Sequence, residues 1–151
     1  MRIIAGKMKG SILHLPKSNK TRPLKDLARE SIFNLLKHSN KISFNFEKSN
    51  ILDLYAGTGS FGLECASREA KNIFFVENEK EAIEVLKKNI EKLKVKKTEI
   101  FSYDVMKFFQ KKIFCQIKFN LIFCDPPFKF ADVKKLIELI YSSNLLSKDG
   151  I

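Results

Sequence analysis

Short apolar runs alternate with amphipathic segments from residue 50 onward. The apolar runs have the length and the β-branched or aromatic content of buried strands, and the segments between them repeat apolar residues at helical spacing. The predicted strands are residues 50–55, 72–76, 99–101 and 119–124, and the predicted helices are residues 63–68, 79–93, 105–111 and 132–142. This order predicts an α/β fold with a parallel sheet and helices on both faces, with ligands at the carboxyl ends of the strands.

The first 48 residues have a different pattern. Residues 2–5 and 11–15 predict a β-hairpin around a turn at residues 6–10, and residues 25–37 carry apolar side chains at near-helical spacing. We therefore expect two parts, which are a hairpin and helix extension at residues 1–48 and a core at residues 49–151.

The composition indicates a single globular domain. The chain has 151 residues, of which 44% are hydrophobic, and this is enough for a substantial core. No apolar run is long enough to cross a membrane and no leader-like segment opens the chain, so a soluble cytoplasmic protein is expected. The three cysteines are widely spaced and have no metal-ligand pattern around them, so no metal is expected.

The positive charge of the chain is concentrated before the core. The formal net charge is +11, and residues 1–48 hold eleven of the 28 basic residues and three of the 17 acidic ones, a net charge of +8. A uniform enrichment in lysine would not produce this asymmetry, so it favours a surface that contacts a phosphate backbone. The basic residues predicted to make these contacts are Arg2, Lys7, Lys9, Arg22 and Arg29.

A glycine-rich turn joins the first strand of the core to the next helix. Glycines at this place permit positive φ angles and let a ligand approach the backbone closely, which fits either a dinucleotide pyrophosphate or S-adenosylmethionine. Asp53 favours S-adenosylmethionine, because a carboxylate attracts its cationic groups and would repel a pyrophosphate. The residues predicted to bind the cofactor here are Asp53, Tyr55, Ala56, Gly57, Thr58 and Gly59.

Two further carboxylates follow later strands. Glu77 ends the second strand and can accept both hydroxyls of a ribose, which either cofactor possesses. Asn78, the next residue, is also predicted to bind the cofactor. Asp104 can accept an adenine amino group while the Val105 N–H donates to the ring. Alternatively, Asp104 caps the following helix, and the two roles are compatible.

The tetrapeptide Asp125-Pro126-Pro127-Phe128 directly follows the fourth strand and is the predicted catalytic site. Its chemistry suits methylation of an exocyclic amine on a nucleic-acid base, whose lone pair is delocalised into the ring. The Asp125 carboxylate and the Pro126 carbonyl can accept the N–H hydrogens and turn that lone pair toward a methyl donor. Phe128 can stack on the base. A rigid turn would explain the tetrapeptide by itself, but its occurrence with the glycine-rich turn favours a catalytic role.

Together, these residues resemble the bacterial 16S ribosomal RNA guanine-N2 methyltransferases of the RsmD type, a class I family that uses S-adenosylmethionine. The resemblance spans nearly the whole chain and is carried by Arg2-Ile-Ile-Ala-Gly6 with Gly10, Arg22-Pro23, Asp26, Arg29-Glu30, Phe33-Asn34, residues 53–64, Val76-Glu77 and residues 125–128. It implies a Rossmann-like fold and methyl transfer to the N2 amine of one guanine in small-subunit ribosomal RNA, with S-adenosylhomocysteine as the second product.

The chain departs from this family at two places. Leu24 and Leu27 stand where the family usually has a polar and a basic residue, so one RNA contact is expected to be lost. Ile151 lies in the apparent start of a fifth strand, whereas family members continue through strands that complete a seven-stranded sheet. A truncated core with an exposed sheet edge is therefore expected, and a monomer unless another chain covers that edge.

Three other functions are compatible with parts of the sequence. An adenine-N6 DNA methyltransferase uses a similar tetrapeptide. A non-catalytic RNA-binding or assembly protein would account for the basic extension. A nicotinamide-dependent oxidoreductase would use the glycine-rich turn, but neither Asp53 nor the tetrapeptide suits it.

Overall fold

A four-stranded parallel sheet forms the centre of the protein in a computed structural model that describes residues 1–17, 26–111, 117–127 and 130–151. The strands are β1 (Asn50–Leu54), β2 (Asn72–Val76), β3 (Thr98–Phe101) and β4 (Leu121–Cys124). Their spatial order is β3-β2-β1-β4, and each neighbouring pair is parallel. All four predicted strands are confirmed, although β4 begins at Leu121 rather than at residue 119.

The α-helices that the structure describes flank this sheet. They are α1 (Asp26–His38), α2 (Ser60–Ser67), α3 (Lys80–Lys92), α4 (Val105–Phe108) and α5 (Val133–Ser142), and a 3-10 turn covers Phe46–Lys48. The predicted helices are confirmed with two differences, since α2 begins directly after the glycine-rich turn and α4 ends at Phe108 instead of residue 111. No helix among the described residues has the length and apolar character needed to cross a membrane.

Apolar side chains cover the sheet on both faces. Successive residues of β1 point to opposite faces, and all of 51–54 are buried, as a central strand covered on both sides requires. The cluster on one face joins the sheet to α1, α2 and α3 and includes Phe33, Ile51, Leu63, Ile73 and Leu86. The cluster on the other face joins it to α4 and α5 and includes Leu52, Val76, Val105, Phe108 and Leu136.

The N-terminal hairpin is paired less regularly than predicted. Within the described residues, its two arms share an antiparallel bridge between Arg2 and Ile12 rather than a continuous ladder. The buried side chains of Ile3 and Leu13 belong to the same apolar cluster as Ile51 of β1. The hairpin therefore shares a core with the sheet, and the division of the chain at residue 48 stays a prediction.

The hairpin turn lies directly against α2. Gly6 has a φ of 84°, and a Cβ added there would lie 2.0 Å from the Ser67 carbonyl oxygen, so only glycine fits. The fully buried Glu64 carboxylate accepts hydrogen bonds from the N–H groups of Ile4 and Ala5 at 2.7 and 3.0 Å. These contacts attach the hairpin to the helix that follows the glycine-rich turn.

The last described residues run beside β4. Phe119 forms a parallel bridge with Leu146. The Ile151 N–H donates to the Asn120 carbonyl at 3.0 Å, and the Ile122 N–H donates to the Ile151 carbonyl at 2.8 Å. Ile151 thus has the backbone pairing of a parallel strand next to β4, in agreement with the predicted start of a fifth strand.

Candidate active site

The glycine-rich turn lies at the carboxyl end of β1. Gly57 and Gly59 have φ values of 56° and 80°, in the region that glycine adopts at little cost. A Cβ on Gly59 would lie 2.3 Å from Leu86 Cδ1, whereas a Cβ on Gly57 would meet no described atom within 4 Å. Gly59 is therefore packed against α3, and Gly57 faces open space that a ligand can enter.

Asp53 lies inside the protein below this turn. It is 1% exposed, and its carboxylate accepts a hydrogen bond from the Gly62 N–H in the first turn of α2 at 2.9 Å. Burial raises the pKa of Asp53 well above its usual range; the Gly62 N–H opposes this shift, while Glu77 and Asp125 add to it. The structure places Asp53 as a support for the turn, and its direct contact with a cofactor stays a prediction.

Glu77 connects the turn to the end of β2. One oxygen of its carboxylate accepts from the Gly57 N–H at 2.7 Å, and the other accepts from the N–H groups of Asn78 and Glu79 at 2.8 and 2.9 Å. A carboxylate has about four acceptor positions. The backbone takes three of them, so Glu77 orders the turn around Gly57 and accepts both hydroxyls of a ribose only if one backbone N–H moves aside.

Asp104 caps α4 at the neighbouring strand end. One of its carboxylate oxygens accepts a hydrogen bond from the Lys107 N–H at 3.1 Å. This confirms the capping role, and the second oxygen keeps its acceptor capacity for an adenine amino group. Val105, the first residue of the helix, has an N–H without an intrahelical acceptor, as every first helical residue has.

The pairing of β1 with β4 brings the tetrapeptide beside the glycine-rich turn. Leu54 and Cys124 are partners in the parallel register, so the turn and Asp125 follow them at the same edge of the sheet. Below this edge, Phe61 of α2 stacks on Phe123 of β4 with 3.7 Å between ring centroids and an interplanar angle of 8°. The two motifs that the sequence separates are therefore neighbours in the fold.

The tetrapeptide presents acceptors at this edge. Asp125 is exposed as a residue, yet neighbouring protein atoms desolvate its carboxyl enough to raise its pKa. Among the described residues, the Pro127 carbonyl accepts from the Phe130 N–H at 2.8 Å, while the Pro126 carbonyl has no such donor. Phe128 lies outside the described residues, so its stacking role stays a prediction.

Tyr55 links the turn to the loop after the tetrapeptide. Its φ is 57°, unusual for a residue other than glycine, and its ring meets Phe130 edge to face at 5.7 Å. The hydroxyl is buried without a hydrogen-bond partner in the described part of the chain, and burial, with Cys124 adding to the shift, raises the pKa of Tyr55 to about 12. Phe130 was not predicted from the sequence, where its signal is an aromatic residue just after the tetrapeptide.

The basic residues of the hairpin are on the surface. Arg2, Lys7 and Lys9 are all exposed, as a phosphate-binding role requires. The Lys7 side chain is 72% exposed and forms an ion pair with Glu69 at 2.5 Å. Their contact with RNA stays a prediction.

Arg29 lies in the interior, contrary to what a surface contact needs. Its side chain is 0% exposed, and Nη2 donates to the Arg2 carbonyl at 2.5 Å and to Asp26 at 2.9 Å. Burial lowers the pKa of Arg29, an effect that Asp26 opposes. The structure gives Arg29 a role in joining α1 to the hairpin, and Arg22 lies outside the described residues.

Asn89 is a further residue at the turn that sequence analysis missed. It is fully buried in α3, and its Nδ2 donates to the Thr58 carbonyl at 3.1 Å. Its signal in the sequence is a polar residue one helical turn after Leu86, on the apolar face of a predicted helix.

Comparisons of the whole chain agree with this arrangement. A family model described as "Conserved hypothetical protein 95" matches residues 1–151. The Ribosomal RNA small subunit methyltransferase D of Haemophilus influenzae is 34% identical over 153 residues, covering 100% of this chain and 76% of that protein. The protein of the same name from Escherichia coli K12 is 30% identical over 151 residues, covering 100% of this chain and 72% of that protein.

Solved structures give the same result for the fold. "Putative methyltransferase yhhF" from Escherichia coli superposes with a TM-score of 0.82 at 30% identity, covering 97% of this chain and 75% of that one. Coclaurine N-methyltransferase, solved with S-adenosylhomocysteine (SAH), has a TM-score of 0.60 at 20% identity. The match covers 98% of this chain and 40% of that chain, and the similarity is one of fold alone. The chain therefore belongs to the family described as conserved hypothetical protein 95, its predicted resemblance to the RsmD type is confirmed, and it is a methyltransferase with a Rossmann-like fold.

Proposed function

We propose that this protein moves a methyl group from S-adenosylmethionine to the exocyclic N2 amine of a guanine in 16S ribosomal RNA. The observation that carries the proposal is the β1–β4 register, which brings Asp125 and Pro126 to the edge where the glycine-rich turn opens. The names of the relatives from Haemophilus influenzae and Escherichia coli support small-subunit ribosomal RNA as the substrate class.

The residues at the turn fit S-adenosylmethionine. The open space at Gly57 admits a ligand, and a side chain there would occupy it. Glu77 offers acceptor capacity for the ribose, and Asp104 keeps one oxygen for the adenine amino group. When bound, S-adenosylmethionine supplies an electrophilic methyl group on a sulfonium centre.

Asp125 and Pro126 orient the guanine amine. Each accepts one N–H of N2, so the nitrogen lone pair turns toward the methyl carbon. The N2–carbon bond forms as the carbon–sulfur bond breaks, and the proton that N2 releases passes to Asp125 or to water. Because its pKa is raised, Asp125 is a better proton acceptor than an ordinary aspartate.

The exposed hairpin provides contacts for the RNA backbone. Arg2, Lys7 and Lys9 project from a segment that is bonded to α2, the helix that follows the turn. Each phosphate that they neutralise adds roughly 0.7 to 0.9 to the slope of log affinity against log salt. A loss of affinity at high salt is therefore expected for RNA but not for the cofactor.

Transfer of tritiated methyl groups tests the proposal. The purified protein is offered 16S ribosomal RNA, small ribosomal subunits from cells that lack the endogenous modification, and duplex DNA. We expect label in N2-methylguanosine after RNA digestion. Label in DNA as N6-methyladenine would replace the proposal with the adenine-N6 alternative, and RNA binding without uptake of S-adenosylmethionine would favour the non-catalytic binding protein.

A further inference from the structure

The chain that leaves the hairpin is attached to α3 along most of the length of that helix. We call residues 12–17 the strap. Polar contacts hold it at three places. Lys92 Nζ donates to the Ile12 carbonyl at 2.7 Å, and the Lys17 N–H donates to the Glu81 carboxylate at 2.8 Å. Between them, the Asn89 side-chain amide bonds to His14. The strap therefore runs from the end of α3 toward its beginning, which lies at the carboxyl edge of the sheet.

Asn89 makes the central contact of the strap. Its Oδ1 accepts from the His14 N–H at 2.7 Å, and its Nδ2 donates to the His14 carbonyl at 3.2 Å. The Asn89 side-chain amide thus bonds both the N–H and the carbonyl of His14, as a residue of a neighbouring β-strand does. The second hydrogen of Nδ2 donates to the Thr58 carbonyl in the glycine-rich turn at 3.1 Å, so both donors are used.

Asn89 consequently joins two segments to which the proposed function assigns different ligands. His14 belongs to the strap that continues the basic hairpin, and Thr58 lies between the two glycines of the turn. The Asn89 side chain is fully buried, where the loss of a partner leaves an unsatisfied polar group and destabilises the protein. Movement of one segment therefore changes the energy of the other.

We propose that Asn89 is a positioning residue that couples RNA binding at the hairpin and strap to cofactor binding at the glycine-rich turn. The inference rests on the proposed function for the identity of the two ligands. RNA bound to the hairpin holds His14, which fixes the Asn89 amide and with it the Thr58 carbonyl. By linkage, RNA raises the affinity for the cofactor and the cofactor raises the affinity for RNA by the same factor.

Calorimetry with S-adenosylhomocysteine, which permits no transfer, measures the coupling. In the unchanged protein, we expect a saturating 16S ribosomal RNA fragment to lower the dissociation constant about fivefold or more. Asn89→Leu, which is close in volume but makes none of the three hydrogen bonds, is expected to bring that ratio close to one. Lys92→Met is the matched control, since it releases the strap at Ile12 without touching the turn, and it is expected to keep most of the coupling.

A ratio of one in the unchanged protein, or a full ratio in Asn89→Leu, overturns the proposal. If Asn89→Leu lowers the cofactor affinity equally with and without RNA, the ratio is unchanged and the proposal is also overturned. Asn89 would then only support the turn. If Asn89→Leu does not fold, hydrogen exchange of the unchanged protein decides. The cofactor is then expected to slow exchange of the His14 amide, and an unchanged rate rejects the coupling.

This exchange measurement needs no RNA and no transfer, so it separates the two claims. Failure of methyl transfer to RNA with a slowed His14 amide contradicts the proposed function alone. Transfer with an unaffected His14 amide contradicts the coupling alone.

Discussion

The loops that follow β1 and β4 meet at the same edge of the sheet but are held very differently. Three buried side chains bond to the glycine-rich turn and the start of α2, namely Glu77, Asn89 and Asp53. The tetrapeptide loop begins with the exposed Asp125, and its internal bond in the described residues runs from Phe130 to the Pro127 carbonyl. The half of the site assigned to the cofactor is therefore preformed, and the half assigned to the base keeps its acceptors for a substrate.

This difference separates binding from catalysis in a way that substitutions can test. A preformed loop binds its ligand with little ordering cost, so changes in it act on affinity and stability. Acceptors that meet their partner only in the reacting complex act on the rate of transfer.

Asp125→Ala is expected to lower methyl transfer by about 10² to 10³-fold, the typical effect of removing one preorganised hydrogen-bonding group from an active site. Cofactor affinity is expected to stay nearly unchanged, because no bond joins Asp125 to the described residues of the turn. Tritium transfer and calorimetry measure the two quantities. Asp132→Ala, at an exposed aspartate just before α5, is the control. Equal losses of transfer and cofactor affinity would make Asp125 structural.

Glu77→Gln is expected to raise the dissociation constant for S-adenosylmethionine roughly ten- to hundredfold, since it weakens charge-assisted hydrogen bonds worth about 1.5 to 3 kcal/mol. Calorimetry gives the constant, and transfer at saturating cofactor should recover most of its rate. Glu79→Gln removes a neighbouring charge that makes no side-chain cap to α3 and serves as the control. An unchanged dissociation constant would show that Glu77 only organises the loop.

Gly57 in the glycine-rich turn and Gly62 in α2 are expected to respond differently to alanine. Gly62→Ala brings a Cβ to 2.3 Å from Phe75 Cε1 and should lower the free energy of unfolding by about 2 kcal/mol through overpacking. Gly57→Ala has space but a φ of 56°, so it should cost about 1 kcal/mol and chiefly weaken cofactor binding. Urea unfolding and calorimetry on both variants give the comparison, which an identical pattern in the two would contradict.

Asp53→Asn is expected to make stability less dependent on pH. Because burial raises the pKa of Asp53 in the folded protein, the folded state binds more protons than the unfolded chain between the usual and the raised pKa. The free energy of unfolding therefore falls as pH rises through that window, and the amide variant avoids this loss. Urea unfolding of both proteins from pH 5 to pH 8 measures this dependence of the free energy of unfolding on pH. A variant whose free energy of unfolding falls with pH as steeply as that of the unchanged protein would contradict the prediction.

Local patterns in the sequence were sufficient to predict the strands and the site at their ends. β1 is apolar at Ile51, Leu52 and Leu54, and β2 is apolar from Ile73 to Val76. The glycine-rich turn and Glu77 directly follow these two strands, so the sequence was enough to place them at strand ends. The alternating order of strands and helices also predicted that the glycine-rich turn and Asp125 both lie at the carboxyl ends of parallel strands. The pairing of β1 with β4, which makes the two motifs neighbours, was not predicted.

Contacts between distant residues were not predictable in the same way. Arg29 has the charge of a surface residue, and its burial depends on a carbonyl 27 positions earlier in the chain. Asn89 bonds to a residue 75 positions away, and no local periodicity encodes that partner. Buried polar groups take their role from whichever backbone atoms the tertiary fold brings to them.

The close approach of Gly6 to Ser67 bears on how a polyanion meets this surface. A Cβ at Gly6 would lie 2.0 Å from the Ser67 carbonyl oxygen of α2, so the hairpin turn is packed tightly against this helix. The hairpin turn therefore loses its conformational entropy on folding and not on binding a partner. Docking of a polyanion on the hairpin turn should therefore require little further ordering of that turn.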